Sequence, residues 1–171
     1  MNFKIIENFL EDHVAKRIHD VVHCSEFPYY FHDVIAHNNE KESKDRFQFV
    51  HTLKSNKFGT TSSYYDQLCL PIIDKLKLNF KDVLRSKVNM SLYSGDNAFK
   101  SGFHVDNDGP HYVALYYINT NNGYTEFESG ETIQCVKNRM VIFNGNIKHR
   151  SVKQTNSKTR VAINTNYVKN N

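Results

Sequence analysis

The first apolar positions of the chain follow a helical period. Within "NFKIIENFLEDHVAKRIHDVVHCSEF", Leu10, Val14, Ile18, Val21 and Val22 recur at three- and four-residue intervals. That spacing predicts an amphipathic helix after a short strand. Pro28 and its aromatic neighbours predict an irregular packed segment, and the polar run over 37–45 predicts a surface loop. In "RFQFVHTL" the period drops to two, with Phe47, Phe49 and His51 in alternation, as in a strand. A second helix is expected over 64–78, kinked or broken at Pro71, which lacks an amide donor.

From Lys87 onward the pattern is one of short strands. "KVNMSLYS" alternates Val88, Met90 and Leu92 against Asn89, Ser91 and Tyr93. "HYVALYYIN", "ETIQCV", "RMVIFNG", "HRSVKQ" and "TRVAINTNYV" follow at short intervals. Turn signals separate them, at Asp108-Gly109-Pro110, Asn121-Asn122-Gly123, Asn144-Gly145-Asn146 and Asn156-Ser157. Helices first and many short strands afterwards predict an α+β chain: a jelly-roll barrel with N-terminal helices packed on its outside.

Length and composition narrow this picture. At 171 residues the chain has the size of one ordinary domain, with a helical support and substrate-cover half over about 1–86 and a barrel core over about 87–168. A chain of this size buries roughly 70% of its unfolded surface and needs no disulfide staple. Cys24, Cys69 and Cys135 are far apart and odd in number. They predict neither a disulfide framework nor a zinc knuckle, and fit a reducing, cytoplasmic setting. No apolar run reaches the length of a membrane span and no signal-peptide core is present. The net charge of +4, with a pI near 8.9, tolerates an acidic partner but builds no stripe of the kind nucleic-acid binding needs.

Candidate chemistry sits in "GFHVDNDGPHYVALYYIN". His104 and Asp106 are two apart, so in a strand both point to one face. His149, at the start of a later strand, supplies a third ligand. Two imidazoles and a carboxylate on a rigid wall form the facial triad of non-haem Fe(II) oxygenases, with positions left open for a cosubstrate and O2. Nine histidines make chance pairs common. His19 and His23, one helical turn apart, are the competing pair and are expected to face solvent. Asp108 is the fallback carboxylate.

Arg160 adds a second element. Residues 148–167 read as a hairpin turning near Asn156-Ser157, with His149 opposite Asn164 and Lys153 opposite Arg160. Cross-strand partners share a face, so His149 and Arg160 look into one space, about 14 Å apart along the ladder. That gap suits a short dicarboxylate between metal and guanidinium, which grips a carboxylate bidentately. Tyr117, in phase with Val113 and Leu115, is placed to join it. Arg150 and Arg139 are the next candidates.

With these residues in view, the sequence resembles the 2-oxoglutarate and Fe(II)-dependent oxygenases, in particular their prolyl-4-hydroxylase-like branch. The resemblance rests on His104-Val105-Asp106-Asn107, Tyr116-Tyr117-Ile118-Asn119, His149 and Arg160-Val161-Ala162-Ile163, together with "SLYSGDNAFKSGFHVD". "FPYY" and "QFVHTL" are similar to small single-domain members from marine phages and microbes. The resemblance implies a double-stranded β-helix. It implies that His104, Asp106 and His149 hold Fe(II), that Arg160 and Tyr117 bind the distal carboxylate of 2-oxoglutarate, and that Tyr93 contacts the end nearer the metal. It further implies O2 as oxidant, ascorbate as a reductant for the iron, and hydroxylation of a small-molecule or peptidyl substrate. One departure is that Arg160 follows His149 at a spacing slightly longer than the branch commonly shows.

Three other readings stay open on the residues alone: a metal-binding cupin without oxygenase activity, a nucleobase dealkylase, and a structural domain that keeps only the fold. The dealkylases usually carry a second arginine six positions after the first, where this chain has Asn166. The segments expected to cover the substrate are 94–103 and 27–51, since loops of this kind carry specificity on a rigid scaffold.

Overall fold

Burial on two faces explains the most apolar part of the sequence. The structure, a computed structural model, describes residues 3–35, 46–93 and 95–169. The loop expected over 37–45 and Ser94 of the expected cover lie outside the described residues. Strands β6 (Tyr112–Tyr117) and β11 (Thr159–Tyr167) run antiparallel at the centre of an eight-stranded sheet. Its order is β1 (Phe3–Ile6), β9 (Arg139–Asn144), β6, β11, β5 (Val83–Leu92), β3 (Gln48–Ser55) and β2 (Tyr30–His32). The two-residue β4 (Gly59–Thr60) hangs on β3. A smaller sheet contains β10 (His149–Val152), β7 (Tyr124–Phe127) and β8 (Thr132–Gln134).

Alternate residues of the large sheet serve two different cores. On one face Val88, Ala114, Tyr116, Met140, Val161 and Ile163 pack with Ile18 and Val22 of α1 (Asp12–Val22), Leu68 of α2 (Tyr65–Leu68) and Ile72 of α3 (Leu70–Leu76). On the other face Val113, Leu115, Tyr117, Phe143 and Ala162 meet Phe127 and Ile133 of the small sheet. A strand between two cores has no polar side to show, and so β6 reads as an unbroken apolar run. The expected break in the second helix occurs at Cys69, with Pro71 in the first turn of α3, where its missing amide leaves no bond unmade.

The expectations differ from the structure in three places. The N-terminal part is more than helical support, because β1, β2 and β3 are built into the large sheet. Strand β7 has no counterpart in the sequence reading; its four residues offer only Thr125 and Phe127 as buried alternation. The hairpin over 148–167 does not form. One edge of β10 is taken by β7 and the other by the segment before His104, through Lys100↔Val152 and His104↔His149. Both edges of β11 are taken by β5 and β6. With no free edge on either strand, the chain crosses from one sheet to the other over 153–158. Among the described residues no helix is long and apolar enough to cross a membrane.

Asn138, in a left-handed conformation (φ 62°), ties the helical layer to the sheet. Its Oδ1 accepts from Leu10 N at 2.9 Å and from the Tyr116 hydroxyl at 3.0 Å, and its Nδ2 donates to Leu10 O at 2.8 Å. Asn138→Ala strands these buried groups and is expected to cost about 2–3 kcal/mol in urea unfolding. Exposed Lys16→Ala is expected to stay within about 0.5 kcal/mol.

Candidate metal centre

His104 and His149 are paired through their backbones. Each amide donates to the other's carbonyl at 3.0 Å. Residues that exchange both bonds in an antiparallel pair send their side chains to the same face, and the two rings lie 4.9 Å apart between centroids. Asp106 brings its carboxylate between them, with Oδ1 4.0 Å from His104 Nε2 and Oδ2 3.8 Å from His149 Nε2. All three ligand atoms lie within 4.8 Å of one another, the only such cluster of three found among the described residues.

The far side of each ring fixes its tautomer. His104 Nδ1 lies 3.0 Å from the Gly102 carbonyl, and His149 Nδ1 lies 3.2 Å from the Ile147 carbonyl. A carbonyl only accepts, so each Nδ1 carries the proton and each Nε2 presents its lone pair toward Asp106. Burial holds the His149 imidazole below its ordinary value, which keeps the ring neutral and able to ligate. Two imidazole lone pairs and one carboxylate, oriented from behind, fit a divalent transition metal with coordination positions to spare.

Asp106 is held in turn. Arg85 Nη2 donates to Oδ1 at 3.1 Å, and Asn164 and Asn166 donate to Oδ2 at 2.9 and 3.2 Å. Burial works against the charge, but His149, Arg85, the Asn164 hydrogen bond and His104 outweigh it and hold the carboxyl at about 2. The three supporting residues come from facing positions of β5 and β11, where Asn166 stands opposite Arg85 and Asn164 opposite Lys87. None was assigned this role from the sequence, although β11 parity from Arg160 through Asn164 to Asn166 could have indicated it.

A cavity of about 500 Å³ joins the three ligands to Arg160. The hairpin geometry was wrong, yet the shared space is real, because β10 and β11 face each other from opposite sheets. Arg160 is buried; its Nε donates to Cys135 Sγ at 2.9 Å and its Nη2 to Thr125 Oγ1 at 3.2 Å. Among the described residues it makes no ion pair. A Cβ on Gly123 would sit 2.9 Å from Arg160 Cδ, so glycine is what lets this side chain lie down. Tyr117 stacks beside the guanidinium, 5.5 Å from ring centroid to Cζ, and its hydroxyl is 2.7 Å from Thr125 Oγ1. It does not line the cavity and reaches it only through Thr125 and Arg160.

Tyr93 is not brought to the site. The residue is 47% exposed and its hydroxyl donates to Asp96 at 2.6 Å. Asn89 and Ser91 of the same face line the cavity, but β5 ends at Leu92. His19 of α1 and His23, just past its end, stack on each other and take no part in the cluster, and Asp108 is exposed outside it. Arg139 pairs with Glu7. Arg150 lines the cavity but is committed to Glu126 at 3.0 Å and to the face of Phe103. Lys87 is half-buried at the cavity wall, where burial and then Arg85 lower its pKa while Asp106 raises it.

His104→Ala, Asp106→Ala and His149→Ala are each expected to abolish tight binding of Fe(II) or Mn(II) in calorimetry, since two donors hold a weakly bound ion poorly. His19→Ala and His23→Ala are expected to bind as the unaltered chain does. The pH dependence of the metal-free protein follows from Asp106. Its folded pKa lies below the ordinary 3.8, so its contribution is full above that value and drains away as the pH falls toward about 2. Asp106→Asn is expected to flatten that part of the acid unfolding curve.

No family model matches the chain, and no curated protein matches it. Solved structures do. A prolyl hydroxylase from Trichoplax adhaerens, in complex with a hypoxia inducible factor oxygen degradation domain peptide fragment, superposes with a TM-score of 0.65 at 17% identity, over 97% of this chain and 83% of that one. A prolyl-4-hydroxylase from Pseudomonas putida gives 0.58 at 15% identity, over 98% and 93%. A 2OG-Fe(II) oxygenase family oxidoreductase from Burkholderia pseudomallei gives 0.67 at 10% identity, over 99% and 86%. The chain therefore has the double-stranded β-helix fold of these oxygenases, with its His-Asp-His cluster inside the barrel.

Proposed function

We propose that this chain is an Fe(II)- and 2-oxoglutarate-dependent dioxygenase acting as a single domain. In this reading it hydroxylates an amino-acid-type substrate, either a peptidyl residue such as proline or a free amino acid, and converts 2-oxoglutarate and O2 to succinate and CO2. One observation carries the reading: a buried arginine without an acidic partner shares a cavity with a three-ligand metal cluster. A guanidinium held in a low-dielectric wall calls for an anion. A dicarboxylate that reaches from the cluster to Arg160 satisfies both ends. Structural neighbours that are prolyl hydroxylases support the choice of substrate class.

His104, Asp106 and His149 would hold the iron, which when bound supplies O2 activation, with ascorbate keeping it reduced. The remaining work belongs to the chain. Arg160 binds the distal carboxylate bidentately, and Thr125 and Cys135 fix the plane of its guanidinium. Phe143 packs edge-on against the His149 ring at 4.8 Å and shields that ligand from water. Arg85, Asn164 and Asn166 keep Asp106 ionised and oriented. Asn166 is spent on that carboxylate, which argues against the dealkylase reading, where a second cation is expected.

The test is succinate release by purified protein reconstituted with Fe(II), with proline-containing peptides, free amino acids and methylated oligonucleotides compared in parallel. Turnover with the oligonucleotides alone would reverse the substrate choice. Arg160→Ala is expected to raise the 2-oxoglutarate requirement roughly 30–150-fold, about 2–3 kcal/mol, with metal binding retained. Gly123→Ala is expected to weaken 2-oxoglutarate binding in the same direction by displacing Arg160. Tyr117→Phe is expected to cost about 1 kcal/mol, because it acts through a neutral hydrogen bond.

A further inference from the structure

The cavity wall does not end beside Asp106. Arg85, Lys87 and His32 line the metal cavity and also a second cavity of about 570 Å³. Tyr30, Val50 and Phe58 form its apolar side, and Tyr30 and Phe58 are 62% and 70% exposed. No Asp or Glu lines this second space among the described residues. The two cavities thus share a wall, with Lys87 in it.

Lys87 is an unusual residue for its place. It lies on β5, an interior strand of the large sheet, opposite Asn164 on one side and Thr52 on the other. Strand parity turns it toward the lumen with Asn89 and Ser91, level with the asparagine that holds Asp106. Arg160 stands opposite Ser91, about 13 Å further along the ladder. Arg85 discharges its charge on Asp106. The Lys87 ammonium makes no hydrogen bond or ion pair among the described residues. Asp106 attracts it and Arg85 repels it, neither in direct contact, so a half-buried ammonium with no bonded counter-charge gains from a ligand that supplies one.

We propose that this second cavity is the primary-substrate subsite, that Lys87 binds a carboxylate of the substrate, and that Tyr30, Val50 and Phe58 receive its apolar body. The inference rests on the oxygenase reading and narrows its substrate class to acids with an apolar portion. The carboxylate comes either from the α-carboxyl of a free amino acid or peptide end, or from an acidic side chain. Lys87 is too far along the wall from Arg160 to share the cosubstrate's distal carboxylate, so the chain has one cation for each acid.

The test uses the full chain with Mn(II) and 2-oxoglutarate, and follows binding of three probes by NMR: N-acetyl-leucine, N-acetyl-leucine amide and N-acetyl-glutamic acid α-amide. The unaltered protein is expected to bind a carboxylate probe at least about tenfold more tightly than the neutral amide, the size of a charge-assisted bond. Which carboxylate probe wins identifies the source of the acid. Lys87→Met is expected to remove the preference and Lys87→Arg to keep it. Phe58→Ala, at an exposed position, is expected to weaken N-acetyl-leucine and its amide alike. Equal binding of acid and amide by the unaltered chain would overturn the proposal. So would a preference that survives Lys87→Met, or tighter binding of a mononucleotide than of any probe. A fall in 2-oxoglutarate affinity as large as that of Arg160→Ala would move Lys87 to the cosubstrate clamp instead. Succinate release by parallel samples reconstituted with Fe(II) in place of Mn(II) separates the two readings. Its absence with the acid preference intact would overturn the oxygenase assignment and the substrate role, while the anion site itself would stand.

Discussion

Asp106 carries a charge where water scarcely reaches, and a carboxylate there must be met by donors and positive charge. Arg85, Asn164 and Asn166 meet it from two neighbouring strands, and the two imidazoles face it from the opposite sheet. This one group therefore joins the two layers of the barrel at the centre of the cavity. Its demands fix the inward face of β5 and β11 over several residues. They also explain why polar side chains line a wall whose reverse is packed with Val88, Val161 and Ile163 against the helices.

The two faces of the large sheet do different work. The helix-facing side is an apolar core that gives the strands a rigid backing. The lumen side is then free to spend its positions on charge. A cation buried in such a wall keeps its place because the backbone behind it cannot relax, and preorganised charge in a dry cavity binds an anion more strongly than the same charge in water. Arg160 shows how local that preorganisation is: a glycine, a threonine hydroxyl and a thiol set its position.

Cations recur along this cavity, and they differ in what already satisfies them. Arg85 and Arg150 have acidic partners, at Asp106 and Glu126. Arg160 and Lys87 have none among the described residues. The difference matters more than the count, since a paired cation has little left to offer a ligand. Two cations without an acidic partner, in one cavity with a three-ligand cluster, are what the proposed sites for cosubstrate and substrate rest on.

Periodicity in the sequence determined which stretches became α1, β3, β5, β6, β9 and β11, because a helix and a strand repeat at different intervals and a core selects the matching face. The spacing of His104 and Asp106 likewise pointed to two ligands, although Asp106 lies in a bend just past the bridge residue His104, whereas Arg160 was reached through a hairpin that does not form. Tertiary structure decided what local geometry could not. It split β10 and β11 between sheets because their edges were already occupied. It built β7 from a segment too short and too polar to announce itself, and left Tyr93 outside because β5 ends one residue early. It also gave Arg85, Asn164 and Asn166 to Asp106 and left the Lys87 ammonium unpaired in a wall shared by two cavities. Partners distant in sequence meet only through the closure of the barrel, and a side chain's remaining capacity to bind is known only after every neighbour has been placed.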